Sequence, residues 1–298
     1  MSLDGVLLSA HGSIEALDDL PAFLARIRRG RPAPDALVEE LRRRYQAIGG
    51  SPFLGIVERQ ARALKAATGL PVFIGMRLWR PEIGTALAEA ISRGLRRLVV
   101  LPLAPYSVPV YLQAAERALA ERGEPRESLR LVGVAAFGTD PLYVSAHARA
   151  IQPLLANADP ETSELVLTAH SLPRAAIAAG DSYTLEVEAS ARAIGEALGR
   201  PYVLAYQSQG ADGGDWVGPT LREAFEAARS RGKKRLIVAP FGFLSEHIET
   251  RYDLDIEARA FAAELALDFI RVPALDDSPD LIRALAHLVE HRLNESDE

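Results

Sequence analysis

Eight short apolar runs punctuate the chain: GVLLSA, PVFIGM, RRLVVLPL and LVGVAAF, then ELVLTA, YVLAYQ, KRLIVAPF and FIRVPAL. Each is rich in Val, Ile and Leu and too short for an ordinary helix, so each predicts a buried strand. Longer stretches such as DALVEELRRRYQAI and LEVEASARAIGEAL lie between them, with apolar residues at helical spacing. Strands alternating with helices, and apolar along their whole length, predict an α/β protein whose parallel sheets are covered on both faces. The pattern also repeats. LLSAHGS near residue 7 is echoed by VLTAHSL near residue 166, and RRLVVLPLAPYSV by KRLIVAPFGFLSE, in the same order. Two similar halves are therefore expected, 1–157 and 158–298, joined through the polar stretch NADPETS at 157–163.

Composition narrows the chemistry. Hydrophobic residues make up 48% and charged residues 25% of the 298, a globular balance, and the net charge of −6 argues against a nucleic-acid partner. There is no cysteine, which excludes disulfides, thiolate zinc sites and iron–sulfur clusters of the usual kind. Any metal must be held by imidazole, carboxylate or other oxygen groups. No apolar run approaches the roughly 20 residues of a membrane helix. MSLDGVLLSAHGS lacks the basic-then-apolar plan of a signal peptide, so a soluble, cytoplasmic protein without an integral membrane segment is expected.

In open parallel sheets ligands bind beyond the carboxyl ends of the strands. The polar residues placed there are His11, Tyr106 with Ser107, His170, and His247 with Glu249. The other histidines, His147, His287 and His291, fall in helical stretches and read as surface residues. The segment FGFLSEHIETRYDLDIE, 241–257, stands out because an apolar run leads straight into a histidine and five acids. If 246–260 is helical, Glu249, Asp253 and Glu257 recur every fourth residue along one side. That is either a solvated helix face or a row of oxygen ligands which, beside imidazole, suits an ion such as Fe²⁺. A second cluster, RIRRGRP at 26–32 followed by RRRY and GGSP, is either a solvated basic helix end or a set of guanidinium forks for carboxylates.

Together these segments resemble the ferrochelatase family, which inserts ferrous iron into a porphyrin. The resemblance runs nearly end to end: IRRGRP, RRRYQAIGGSP, SVPVY, AHSLP, GDSYTLEV, YQSQG followed by DWVGPT, FGFLSEHIETRYDLDIE, and RVPALDDSPDLIRAL. It implies two similar Rossmann-like halves, each a parallel sheet flanked by helices, with the active-site cleft between them. It implies that His170 and Glu249 handle metal and pyrrole protons, and that Asp253 and Glu257 belong to an acidic row leading metal inward. Arg28, Arg44, Tyr45, Ser51 and Tyr111 fall where shorter bacterial members contact the porphyrin and its propionates. Porphyrin and Fe²⁺ are then the substrates and no further cofactor is required. Nothing in the sequence identifies a protein that delivers iron or accepts haem.

Two positions depart from the family. His11 stands in AHG where shorter members commonly have AYG, and so takes the place of a tyrosine facing the porphyrin. Arg80 of MRLWRP stands where many members have histidine. The segment from His11 to Arg28 is short and lacks an extended hydrophobic lip, which favours coproporphyrin III over protoporphyrin IX. Two alternatives remain at this stage. LLSAHGS also fits the start of a sirohydrochlorin-type cobalt or iron chelatase, against which RRRYQAIGGSP and AHSLP argue. A non-catalytic haem carrier would use His11 as axial ligand.

Overall fold

The computed structural model describes residues 3–123, 128–210 and 214–295. All eight expected strands form. In the first half they are β1 (Asp4–Ala10), β2 (Val72–Met76), β3 (Arg97–Pro102) and β4 (Arg130–Gly133). The second half has β5 (Ser163–His170), β6 (Val203–Gln207), β7 (Arg235–Ala239) and β8 (Asp268–Arg271). The helices that matter below are α1 (Leu20–Ile27), α2 (Asp35–Ala47), α3 (Phe53–Thr68), α4 (Ile83–Ser92), α5 (Pro109–Glu121), α6 (Pro141–Leu155), α7 (Arg174–Ala178), α8 (Tyr183–Leu198), α9 (Leu221–Ser230), α10 (Ile248–Arg251), α11 (Arg259–Glu264) and α12 (Pro279–Glu295). No helix among the described residues is long and apolar enough to cross a membrane.

The strands make two four-stranded parallel sheets with the same order, β2-β1-β3-β4 and β6-β5-β7-β8. The registers make the duplication residue-specific. Asp4 pairs Arg97 and Ser163 pairs Arg235, so β1 overlays β5 with Asp4 opposite Ser163, and seven residues on His11 falls opposite His170. Counting from Arg97 and Arg235 in the same way sets Tyr111 opposite Glu249 and, across the sheet edge, Gly133 opposite Arg271. Two-sided burial explains the strand composition: Val6, Leu7 and Leu8 are fully buried in one sheet, as are Leu236, Ile237 and Val238 in the other. Helix faces complete each core, through Ala86, Leu87 and Ala115 in the first and Ala224, Phe225 and Leu254 in the second.

The division into units differs from the expected cut at 157/158. One unit comprises residues 1–137 with 276–298, and the other 138–275. Apolar packing decides this, not linker polarity. The buried face of α6, with Tyr143 and Ile151, packs on α8 and β7, so α6 belongs with the strands that follow it. In turn α12 packs on α3 and β3, and its Arg292 Nε donates to the Gly133 carbonyl at the end of β4 at 2.7 Å. NADPETS is only a turn inside the second unit, closed by Asp159, which accepts from the Glu161 amide and the Thr162 hydroxyl.

His287 and His291 are exposed as expected, but His147 is not: it is buried on α6. Its ring stands edge-on to Tyr143, with centroids 4.7 Å apart, and close to Phe241. Burial alone pushes its pKa down to about 3, so it is a neutral core residue at ordinary pH. The Tyr143 hydroxyl beside it donates to the Phe241 carbonyl at 2.6 Å and so fixes the start of the loop that leaves β7.

That loop passes close under β5. A Cβ placed on Gly242 would lie 2.7 Å from Ala169 Cβ and 2.9 Å from its Cα, one residue before His170. Gly242→Ala is therefore expected to destabilise the protein by about 1–3 kcal/mol, the usual cost of overpacking. A urea titration of wild type and variant reads this directly; an unchanged midpoint would show that the loop yields freely.

Candidate active site

His170 ends β5, and its orientation is set by partners on three sides. Its Nδ1–H donates to the carbonyl of Ser171, and the Ser171 amide is tied to Gln207 at 2.7 Å. Tyr183, from the first turn of α8, donates its hydroxyl to the His170 carbonyl at 2.9 Å. Asp181 in turn accepts from the Tyr183 amide, which gives the GDSYTLEV segment a structural role next to the histidine. With Nδ1 committed to a carbonyl, Nε2 faces Glu249, 3.6 Å from Oε1.

Glu249 lies on α10, the short helix entered from β7. Its other oxygen, Oε2, is 3.4 Å from Nε2 of His247, the residue capping that helix. His247 is oriented like His170: its Nδ1 bonds a backbone carbonyl, that of Ser245, at 3.1 Å. One carboxylate thus sits between two imidazoles, with the Phe243 ring 5.0 Å from His247 and 6.5 Å from His170, centroid to centroid. Gln207, buried at the end of β6, holds the Glu249 carbonyl through Nε2 at 2.8 Å and accepts from Thr168 at 3.1 Å. The next residue, Ser208, takes positive φ and donates to Asp253 Oδ2 at 2.5 Å.

Burial disfavours the imidazolium of His170, but the Glu249 carboxylate, the Ser171 carbonyl and the charge of Asp253 outweigh it and raise its pKa to about 9. Burial likewise opposes the charge on Glu249, yet His170 and His247 hold its pKa well below the usual carboxylate value. At neutral pH the pair is an ion pair. His170 departs from a free imidazole because its partner is an anion in a partly dehydrated place.

The acidic row does not ride on one α-helix over 246–260. The chain runs as α10, then a π-helical turn over Asp253–Ala258, then α11. The amides of both Ile256 and Glu257 point to the Tyr252 carbonyl, the signature of one residue more than an α turn holds. Glu249 and Asp253 come together around His170, with Asp253 buried, while Glu257 is half-buried in the second part of the wide turn. No three His, Asp or Glu side chains among the described residues form a closed metal cage.

In the first unit, His11 bonds Tyr111, its Nδ1 2.9 Å from the phenol oxygen, and its Nε2 lies 3.5 Å from Arg77 Nη1. This pair is the repeat counterpart of His170 and Glu249, with phenol in place of carboxylate. Burial, opposed by Arg77, pushes the Tyr111 pKa up to about 12, so this copy carries no anion at neutral pH. Tyr45 is buried with its hydroxyl 3.3 Å from Ser13. Arg44 pairs along α2 with Glu40 at 2.9 Å, and Ser51 accepts from the Phe53 amide where α3 begins. Arg28, at the end of α1, has a buried Nε with no partner. Arg80 lies against the Trp79 ring, as does Arg26. The sequence reading placed His247 beside Glu249 at a strand end but gave it no role in the site. It left out Gln207, Ser208, Tyr183 and Arg77, which act through backbone carbonyls or through partners distant in sequence.

The ion pair has a stability signature. His170 is raised above its unfolded value of about 6.5, so its contribution is full below that pH and is lost as pH climbs through about 9. Glu249 is depressed, so its contribution is full above about 4.5 and lost as pH falls through its lower folded pKa. The stability lost in His170→Asn should therefore be largest between about pH 4.5 and 6.5 and shrink toward pH 9. Urea unfolding of both proteins across that range measures it, and a pH-independent difference would contradict the ion pair.

Comparison with known proteins bears on the fold and the family of the chain. In overall fold the chain is similar to "SirB from Bacillus subtilis with Fe3+", with a TM-score of 0.63 at 15% identity, covering 100% of this chain and 98% of that one. In sequence it is 32% identical to the ferrochelatase of Acidobacterium capsulatum, covering 97% of this chain and 94% of the relative. It is 34% identical to that of Thermus thermophilus (96% and 98% covered) and 40% identical to that of a Synechococcus species (98% and 94% covered). The sequence pattern of the ferrochelatase family matches residues 3–293, and the chain belongs to that family of metal-inserting lyases.

Proposed function

We propose that this chain inserts Fe²⁺ into a porphyrin, with coproporphyrin III preferred over protoporphyrin IX, and that His170 and Glu249 are its catalytic pair. The observation that carries the reading is the carboxylate of Glu249 between two Nε2 atoms, at 3.6 and 3.4 Å. Metallation replaces two pyrrole N–H protons by the ion, so the site must take a cation and release protons in one place. Glu249 is suited to both tasks. Its oxygens are ligands for the incoming ion, with Asp253 and Glu257 along the approach, and they are also what holds the proton on His170. An arriving cation competes with that proton for the same carboxylate, so His170 releases it to solvent and can then accept the two pyrrole protons in turn, passing each on to water.

The preference for coproporphyrin rests on charge. Coproporphyrin carries more propionates on its rim, and the end of α1 offers Arg26, Arg28, Arg29 and Arg31. Arg28 is the one with a buried, unpartnered Nε, a donor awaiting an acceptor. Arg44, Tyr45, Ser51, His11 and Tyr111 complete the porphyrin contacts in this reading, and the reaction takes place in the cytoplasm.

Anaerobic Fe²⁺ insertion into each porphyrin, followed by loss of porphyrin fluorescence, tests the whole. Wild type should turn over coproporphyrin III faster, and His170→Ala should lose about 10²–10⁴-fold in kcat. No turnover on either porphyrin, with haem binding that depends on His11, would replace the enzyme by a carrier. In the same assay Arg28→Ala should raise KM for coproporphyrin III more than for protoporphyrin IX and leave kcat nearly unchanged. Equal effects on the two would remove Arg28 from the basis of the preference.

A further inference from the structure

The wide turn beneath the acidic row is gripped by an arginine that the reaction chemistry does not use, with Arg259 donating to the Asp255 carbonyl at 3.2 Å and Arg251 lying 3.7 Å from Glu246 as further contacts. Arg271 ends β8 and is half-buried, its side chain 10% exposed. It forks onto Asp255, Nε to Oδ1 at 2.5 Å and Nη2 to Oδ2 at 3.0 Å. Through Nη1 it also donates to Glu246 Oε1 at 2.6 Å. Glu246 is itself buried and saturated, accepting from the Ala274 amide at 2.9 Å and the Thr250 hydroxyl at 2.7 Å. Glu246 immediately precedes His247, and Asp255 lies in the π turn two residues after Asp253. One guanidinium therefore pins both ends of the stretch that carries His247, Glu249 and Asp253.

The duplicated half supplies an internal comparison. The residue opposite Arg271 in the repeat is Gly133, and the helix there, α5, runs as unbroken α-helix from Pro109 to Glu121. Its buried positions Tyr111 and Ala115 count across to Glu249 and Asp253. In the second half the fully buried series is instead Thr250, Leu254, Ala258 and Ala262, one residue later. Steps of four overshoot an α-helical turn by about 40° each, and over three steps such a series would wander off its face. The extra residue taken up by the π turn cancels most of that drift. It keeps the apolar series on the core and the neighbouring acidic series along one flank.

From these contacts we infer that Arg271, with Glu246 and Asp255, is a positioning device for the metal-binding row: it holds the π turn in the phase that keeps Asp253 beside His170 and Glu249. The inference rests on the chelatase reading for its purpose, but its geometry can be tested without turnover. Divalent-metal affinity is measured directly, by calorimetry with Zn²⁺, on wild type, Arg271→Met, Arg271→Lys and Asp255→Asn, each first shown to be folded by circular dichroism. Arg271→Met and Asp255→Asn should bind Zn²⁺ more weakly by between about 10- and 100-fold, the usual effect of removing a group that orients metal ligands. Arg271→Lys, which keeps the charge without the fork, should recover part of the loss.

In the insertion assay the same variants should raise KM for the metal while leaving KM for the porphyrin near wild type. Wild-type Zn²⁺ affinity in folded Arg271→Met and Asp255→Asn would overturn the inference, as would KM values that rise equally for both substrates. A wild type that binds Zn²⁺ with the expected dependence on Arg271 but inserts no metal would uphold the positioning role and reject the chelatase reading.

Discussion

The carboxylate of Glu249 is the fixed point of the second unit. An anion held among partly dehydrated groups is stable only while partners face it, and here the facing groups are the Nε2 atoms of two imidazoles. Much of the surrounding structure follows from that demand. Two backbone carbonyls fix the Nδ1 sides so that both Nε2 atoms turn to the acid. Gln207 fixes the acid's own backbone, and Tyr183 that of His170. The result is a carboxylate whose two imidazole neighbours and backbone anchor are all held in place by the fold itself.

The two halves show how one plan diverges under different electrostatic demands. Both end the first strand with a histidine and place its partner on the helix after the third strand. A phenol in the first half and a carboxylate in the second make one pair neutral and the other ionic. The supporting residues diverged to match. Where acids follow the ionic pair along the chain, the helix takes in one extra residue as a π turn, and after the neutral pair it stays regular.

Much of this was legible in the sequence because it depends on local pattern. Eight apolar runs gave eight strands, since strands buried on both faces need continuous apolar sequence. The repeat of AHG and AHS marked the two paired histidines, and HIE marked the carboxylate. What was not legible depends on partners far apart in the chain. The π turn is tied through Asp255 to Arg271, which follows it by more than ten residues, whereas spacing alone read as regular helix. His147 read as a surface residue because it falls in a helical stretch, and its packing against Tyr143 and Phe241, one of them distant in sequence, is what pattern could not show. The unit boundary was misplaced for a similar reason: a polar linker is a local signal, whereas the allegiance of α6 and α12 is decided by distant surfaces.

That exchange of helices has a bearing on the order of assembly. The second unit is one uninterrupted segment, 138–275, so every residue of its core is present once that segment has been made. The first unit is split, and the surface of α3 and β3 remains uncovered until α12 has been synthesised. During synthesis the earlier-made sheet must keep an apolar face open across the whole translation of its neighbour. The half that begins the chain is the one that finishes last.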